Sequence, residues 1–66
     1  MVEYSNSRIR EVIAEYIHNE RDRKVLERRL IDGITFEKLA EEQELSVSQV
    51  KRIIWKGSEI IFRNLK

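Results

Sequence analysis

Residues 35–56 read TFEKLAEEQELSVSQVKRIIWK, and two helix starts are legible in them. Ser46-Val47-Ser48-Gln49 is an S-x-x-Q capping box: a serine hydroxyl meets the backbone N–H three residues on, and the glutamine side chain reaches back to the serine N–H. Leu45 and Val50 stand at the positions of a hydrophobic staple around that start. Eleven residues earlier Thr35 caps another helix, with Ile34 and Leu39 at the corresponding staple positions. The spacing predicts one helix over 35–43, with Phe36, Leu39 and Ala40 buried, and a second over 46–65, joined by a short turn. Two helices joined this tightly need a small residue at the crossing and apolar anchors on both sides of the turn. Ala40 supplies the first; Leu39, Leu45, Val50 and Ile53 supply the second.

Two more helices lie upstream. Ile9, Val12, Ile13, Tyr16 and Ile17 recur at i, i+3, i+4, i+7 and i+8, which predicts an amphipathic helix over 7–18 with His18 at its end. Asn19 is a suitable N-cap for a helix over 20–32, where Glu20 and Asp22 favour the positive dipole end and Val25, Leu26 and Leu30 point inward. Asp32-Gly33 stops it, since glycine takes the left-handed closing conformation. The last helix carries a core stripe of Val47, Val50, Ile54, Ile61 and Leu65, flanked by Ile53 and Ile60. Gly57 interrupts it and is read three ways: tolerated, kinked, or placed for close packing. The expectation is a single all-α domain over 1–66, a four-helix helix-turn-helix fold.

Composition narrows the chemistry. Sixty-six residues bound the chain to one domain. No cysteine and one histidine leave no disulfide and no ready metal site, and no catalytic constellation is visible, so neither a cofactor nor an enzymatic activity is expected. No apolar run reaches the roughly 18–20 residues of a membrane span. Met1–Asn6 lacks a leader pattern, so a cytoplasmic location is expected. Net charge is only +1, but it is unevenly spread. Residues 35–45 carry Lys38 against Glu37, Glu41, Glu42 and Glu44. Residues 46–66 carry Lys51, Arg52, Lys56, Arg63 and Lys66 against Glu59 alone.

At about 100° per residue, Ser48, Gln49, Lys51, Arg52, Trp55 and Lys56 all point away from the core stripe. Short hydroxyl and amide side chains bond base edges, and Lys and Arg reach guanine or phosphate, so this face suits a nucleic-acid groove. The first-turn N–H groups of the same helix are free for a phosphate.

The stretch RDRKVLERRLIDGITFEKLAEEQELSVSQVKRIIWKGSEIIFRNL, residues 21–65, resembles region 4 of bacterial sigma-70-family RNA polymerase sigma factors. The resemblance rests on R-x-x-K-V-L-x-x-R at Arg21 to Arg29, on D-G-x-T-F-E with the following A-E-E, and on L-S-x-S-x-V-K-R at the last helix. It implies that Val47, Ser48, Gln49, Lys51 and Arg52 face bases or adjacent phosphates of an upstream promoter element in the major groove of double-stranded DNA. It also implies that Arg21 and Arg29 hold the DNA backbone, with Thr35, Phe36 and Glu37 beside it and Ser46 and Lys56 completing that set. Three departures stand out. Glu44 occupies a turn position usually held by glycine, at a cost of roughly 1 kcal/mol if its φ is positive. Val47 replaces a charged residue, which makes its contact an apolar one such as a thymine methyl. The part of a sigma factor that melts the promoter has no counterpart, so the chain is closer to the small stand-alone sigma-like regulators of phages and mobile elements.

The same resemblance opens a second role, docking on the β flap of RNA polymerase or on an anti-sigma protein. The acidic third helix and the Trp55/Phe62 stripe would serve it, unless those aromatics pack on the first two helices. LSVSQVK also fits LuxR-type four-helix DNA-binding domains. Monomer and homodimer are both compatible with a module of this size. Arg23, Lys24 and Arg28 are left open between a solvated face interleaved with Glu20, Asp22 and Glu27 and a further role. His18 is read as a surface or capping group, and Glu41, Glu42 and Glu44 as solvated or else facing a basic partner protein.

Overall fold

A computed structural model describes residues 5–65. Met1–Tyr4 and Lys66 lie outside them, and with them most of the segment read for a leader and the last cation of the basic segment. The described chain is all-helical: α1 Asn6–Tyr16, α2 Glu20–Leu30, α3 Phe36–Gln43 and α4 Val47–Asn64. No helix among the described residues is long and apolar enough to cross a membrane.

Each helix starts on a side-chain cap that satisfies an otherwise orphaned N–H. Ser5 accepts from Arg8 N–H, Asn19 from Asp22 N–H and Thr35 from Lys38 N–H. The Ser46 capping box is complete: its Oγ accepts from Gln49 N–H at 3.1 Å, and its own N–H donates to Gln49 Oε1 at 2.9 Å.

The helix ends show what local pattern leaves out. Helix α1 stops at Tyr16, not His18. Ile17 turns to extended backbone, and the Arg23 guanidinium donates to the carbonyls of Ile17 and Ala14, the latter at 2.8 Å. Arg23 is therefore a C-terminal cap for α1 rather than a free surface cation. His18 is an exposed link residue. Tyr16, placed in the apolar stripe by its period, is 41% exposed at the last position of α1. Helix α2 ends at Leu30, two residues before the expected boundary, and the chain turns through Gly33 at φ 69°.

Helix α3 closes on Glu44, which sits in the left-handed region at φ 55°, ψ 45°. Its N–H donates to Glu41 O at 3.4 Å and that of Leu45 to Ala40 O at 2.9 Å. This paired 5→2 and 6→1 pattern is a Schellman motif, whose left-handed position favours glycine. Three residues, Glu44 to Ser46, separate the two helices.

The core joins Ile9, Val12, Ile13 and Ile17 to Val25 and Leu26, to Leu39 and Ala40, and to Val50, Ile54, Ile61 and Leu65. Helices α2 and α4 each pack against all three others, whereas α1 and α3 do not meet. At 1.5 Å per residue α4 is about 27 Å long, close to the longest molecular dimension of 31 Å. Gly57 is a point of close approach between α4 and α2. A Cβ there would lie 2.7 Å from Leu26 Cδ2 and 3.0 Å from its Cγ, so of the three readings close packing is the one observed. Ile60 reaches the surface and Ile53 is half-buried.

An ion pair ties α2 to α3. Arg28 grips Glu42 with two bonds, Nη2 to Oε2 at 2.7 Å and Nε to Oε1 at 3.2 Å, and reaches Asp32 at 3.3 Å. Arg28 and Glu42, for both of which the sequence allows a solvated role, are thus partners. The hydrogen bond from Arg28 holds the Glu42 carboxyl below its ordinary value of 4.5, and the same bond raises Arg28.

Three outcomes follow from this packing. Replacing Glu44 by glycine relieves the left-handed backbone and raises stability by about 0.5–1 kcal/mol, after the added unfolded-state entropy is subtracted. Glu44→Val lowers it, both read as shifts in urea midpoint at unchanged slope. Gly57→Ala gains helix propensity of about 1 kcal/mol but overpacks Leu26 for about 1–3 kcal/mol, giving a net loss of about 1 kcal/mol. That loss shrinks in a Leu26→Val background. Because Glu42 is depressed on folding, its contribution is present above pH 4.5 and lost as pH falls through its lower folded value. Stability measured against pH therefore falls less steeply in acid for Glu42→Gln than for the parent chain.

Candidate nucleic-acid interface

The outer ridge of α4 is bare. Ser48, Gln49, Lys51, Arg52, Trp55 and Lys56 are all exposed, as their angular positions predict. The buried ridge of Val50, Ile54, Gly57 and Ile61 holds them outward. Among the described residues, Lys51, Arg52 and Lys56 enter no ion pair, nor do Arg10, Lys24 and Lys38 elsewhere, while Arg8, Arg21, Arg28 and Arg63 each do; on α4 the unpaired three share one ridge. Cations left without carboxylate partners stay available to an anionic ligand.

Arg52 stands at the centre of this surface. It lines a hollow of about 140 Å³ with Arg21, Leu45, Gln49 and Ile53, a second of about 260 Å³ with Ser48, Lys51 and Trp55, and a third of about 310 Å³ that includes Lys56 and Asp22. The first hollow brings Arg21, at the start of α2, beside the start of α4. Arg21 is exposed and bonded to its neighbour Asp22 at 3.2 Å, a contact that a phosphate can displace because exposed pairs are weak.

The hydroxyls and amide on this surface have partly fixed roles. Ser46 Oγ already accepts from Gln49 N–H, and Thr35 Oγ1 accepts from Lys38 N–H, but both keep their own O–H to donate to a phosphate oxygen. Gln49 is more constrained. Its Oε1 accepts from Ser46 N–H, which fixes the orientation of the amide and leaves its N–H groups and the second lone pair of Oε1. Two-bond recognition of adenine uses the amide N–H and the oxygen together, so Gln49 in the capping box makes it only by sharing its oxygen with Ser46 N–H.

Two expected contacts are altered by the packing, and a third is limited by its charge. Arg29 is half-buried: its Nη1 donates to Ile34 O at 3.0 Å and its guanidinium lies 4.4 Å from the Phe36 ring centroid. It braces the α2–α3 link and offers a phosphate only what remains. Val47 is half-buried against the core, which withdraws much of its side chain from a groove. Glu37 is exposed in the first turn of α3; its carboxylate repels phosphate, so any contribution there comes from its backbone N–H.

Phe36 is more central than its place in the sequence implies. Its half-buried ring is approached by Arg29 and also by Lys51, whose Nζ lies 5.9 Å from the centroid. It thereby links the α2 end, the α3 start and the exposed ridge of α4. No local signal reveals this, because the three residues come from three helices. Trp55 and Phe62 are 68% and 45% exposed, so neither forms a packing stripe against α1 and α2. Comparison with protein-family models, with curated proteins and with solved structures gives no match.

Proposed function

We propose that this chain is a sequence-specific double-stranded DNA-binding transcription regulator, with α4 in the major groove in the manner of sigma factor region 4. The observation that carries the reading is the outer ridge of α4, a run of hydroxyl, amide and cationic side chains centred on Arg52 with no carboxylate partner among the described residues. In this reading Arg52 and Lys51 reach guanine edges or adjacent phosphates. Ser48 and the Gln49 amide donate to base acceptors. Arg21, Lys56 and the hydroxyls of Ser46 and Thr35 fix the register on the backbone. The free N–H groups at the start of α4 add a phosphate site between them. The role needs no metal or cofactor.

A second reading, docking on RNA polymerase or an anti-sigma protein, is favoured by one observation: the exposed Trp55 and Phe62 on the same helix.

Fluorescence anisotropy on duplexes selected from a random pool tests the first reading. Binding weakens with salt at a slope of about −3 on logarithmic axes, as expected for three to four neutralised phosphates. Arg52→Ala lowers affinity by roughly 1–3 kcal/mol, and Lys56→Ala lowers the slope magnitude by about 1. A pool that yields no bound duplex at low salt, or binding indifferent to Arg52, overturns the proposal.

A further inference from the structure

The bare ridge of α4 carries one large apolar side chain among its cations, and the polar readings above leave it without work. Trp55 is 68% exposed. Its indole walls the hollow of about 260 Å³ whose other sides are Ser48, Lys51 and Arg52. Seven residues separate it from Ser48, so it lies on the same helix face about two turns, or roughly 10 Å, further along. Beyond it the character of the helix changes. The next hollow is lined by Trp55, Ser58, Glu59, Phe62 and Arg63, and there Glu59 is bonded to Arg63 at 3.1 Å. Arg63 is thus paired, so the run of unpaired cations on this ridge ends at Lys56, with Trp55 inside it.

We infer that Trp55 is a further specificity-determining residue, packing its indole on the 5-methyl group of a thymine in the major groove. This rests on the proposed DNA-binding role. Charge names the occupant: two of the hollow's walls are Lys51 and Arg52, unpaired among the described residues, which fits a polyanion and disfavours a basic protein surface. Duplex geometry names the contact. An indole cannot stack on bases that are already stacked and paired, and the apolar feature of the major groove is the thymine methyl. Val47, the other apolar side chain near the groove, is half turned into the core, so Trp55 is the better placed of the two.

Trp55 is the only tryptophan in the chain, so its emission reports its own surroundings. With the selected duplex added to the parent chain, anisotropy of labelled DNA records binding and indole emission records contact. The expected result is a saturable change in emission over the same concentration range as binding. Trp55→Ala lowers affinity about tenfold with its melting temperature unchanged, since the side chain is largely exposed, and Trp55→Phe restores most of the loss. Replacing thymines by uracil one at a time finds one position where the parent chain loses about threefold to fourfold, the worth of one methyl group, and where Trp55→Ala loses nothing. Normal duplex binding with unchanged emission, or no uracil-sensitive position that depends on Trp55, overturns this inference and leaves the DNA-binding reading standing. Capture of a second copy or of a protein by Trp55, with DNA affinity unaffected by Trp55→Ala, overturns it equally. Absence of any duplex binding removes both.

Discussion

Helix α4 must bury one ridge beneath three other helices while its opposite ridge stays uncovered. Every feature of the candidate site depends on that division. Val50, Ile54 and Ile61 are almost wholly removed from water, and burial of each aliphatic side chain contributes on the order of 1.5–3 kcal/mol before entropy is counted. These side chains hold the rotation of α4 about its own axis, and Gly57 against Leu26 holds its distance from α2. With rotation and distance held, Ser48, Arg52 and Trp55 have no course but outward. In so small a chain, which buries only about 60% of its unfolded surface, few other contacts can take over that task.

The entry to α4 is held just as firmly, and at some cost. The Schellman closure of α3 places Glu44 in a conformation that glycine adopts more readily, and the capping box then starts α4 three residues later. The same capping box occupies one end of the Gln49 side chain. A residue that helps start the helix is thereby held in one orientation. On the proposed DNA-binding reading, Arg52, Ser48 and the apolar edge at Trp55 carry specificity beside it.

Much of the architecture was legible because its determinants are local. Caps at Asn19, Thr35 and Ser46, the stop at Gly33 and the apolar periods of α1 and α4 involve residues within one or two turns of each other, and those elements appear where they were expected to within two residues. The outward ridge of α4 was legible for the same reason. What escaped was non-local. Arg28 finds Glu42 fourteen residues away, Arg23 caps a helix that precedes its own, and Arg29 turns inward over Phe36. Cations on a helix look alike in sequence; their partners are chosen by the packing of helices. Tyr16 fits the apolar period but is exposed at the last position of α1, whereas Ile17 just past it is buried. Val47 was read as core from its period and as base-facing from the resemblance, and its half-burial agrees with the period.

The claim at the centre of this account is that the uncovered ridge of α4 is a surface for duplex DNA. Amide chemical-shift mapping on the labelled chain with a selected duplex tests it most directly, because it reports every backbone site at once. The account predicts shifts concentrated at Ser46 to Arg52, Trp55 and Lys56, with a smaller set at Arg21 and at the start of α3, and little change along α1. Shifts that gather on α1, or on Phe62 and Arg63 while Ser48 to Arg52 stay still, would contradict it.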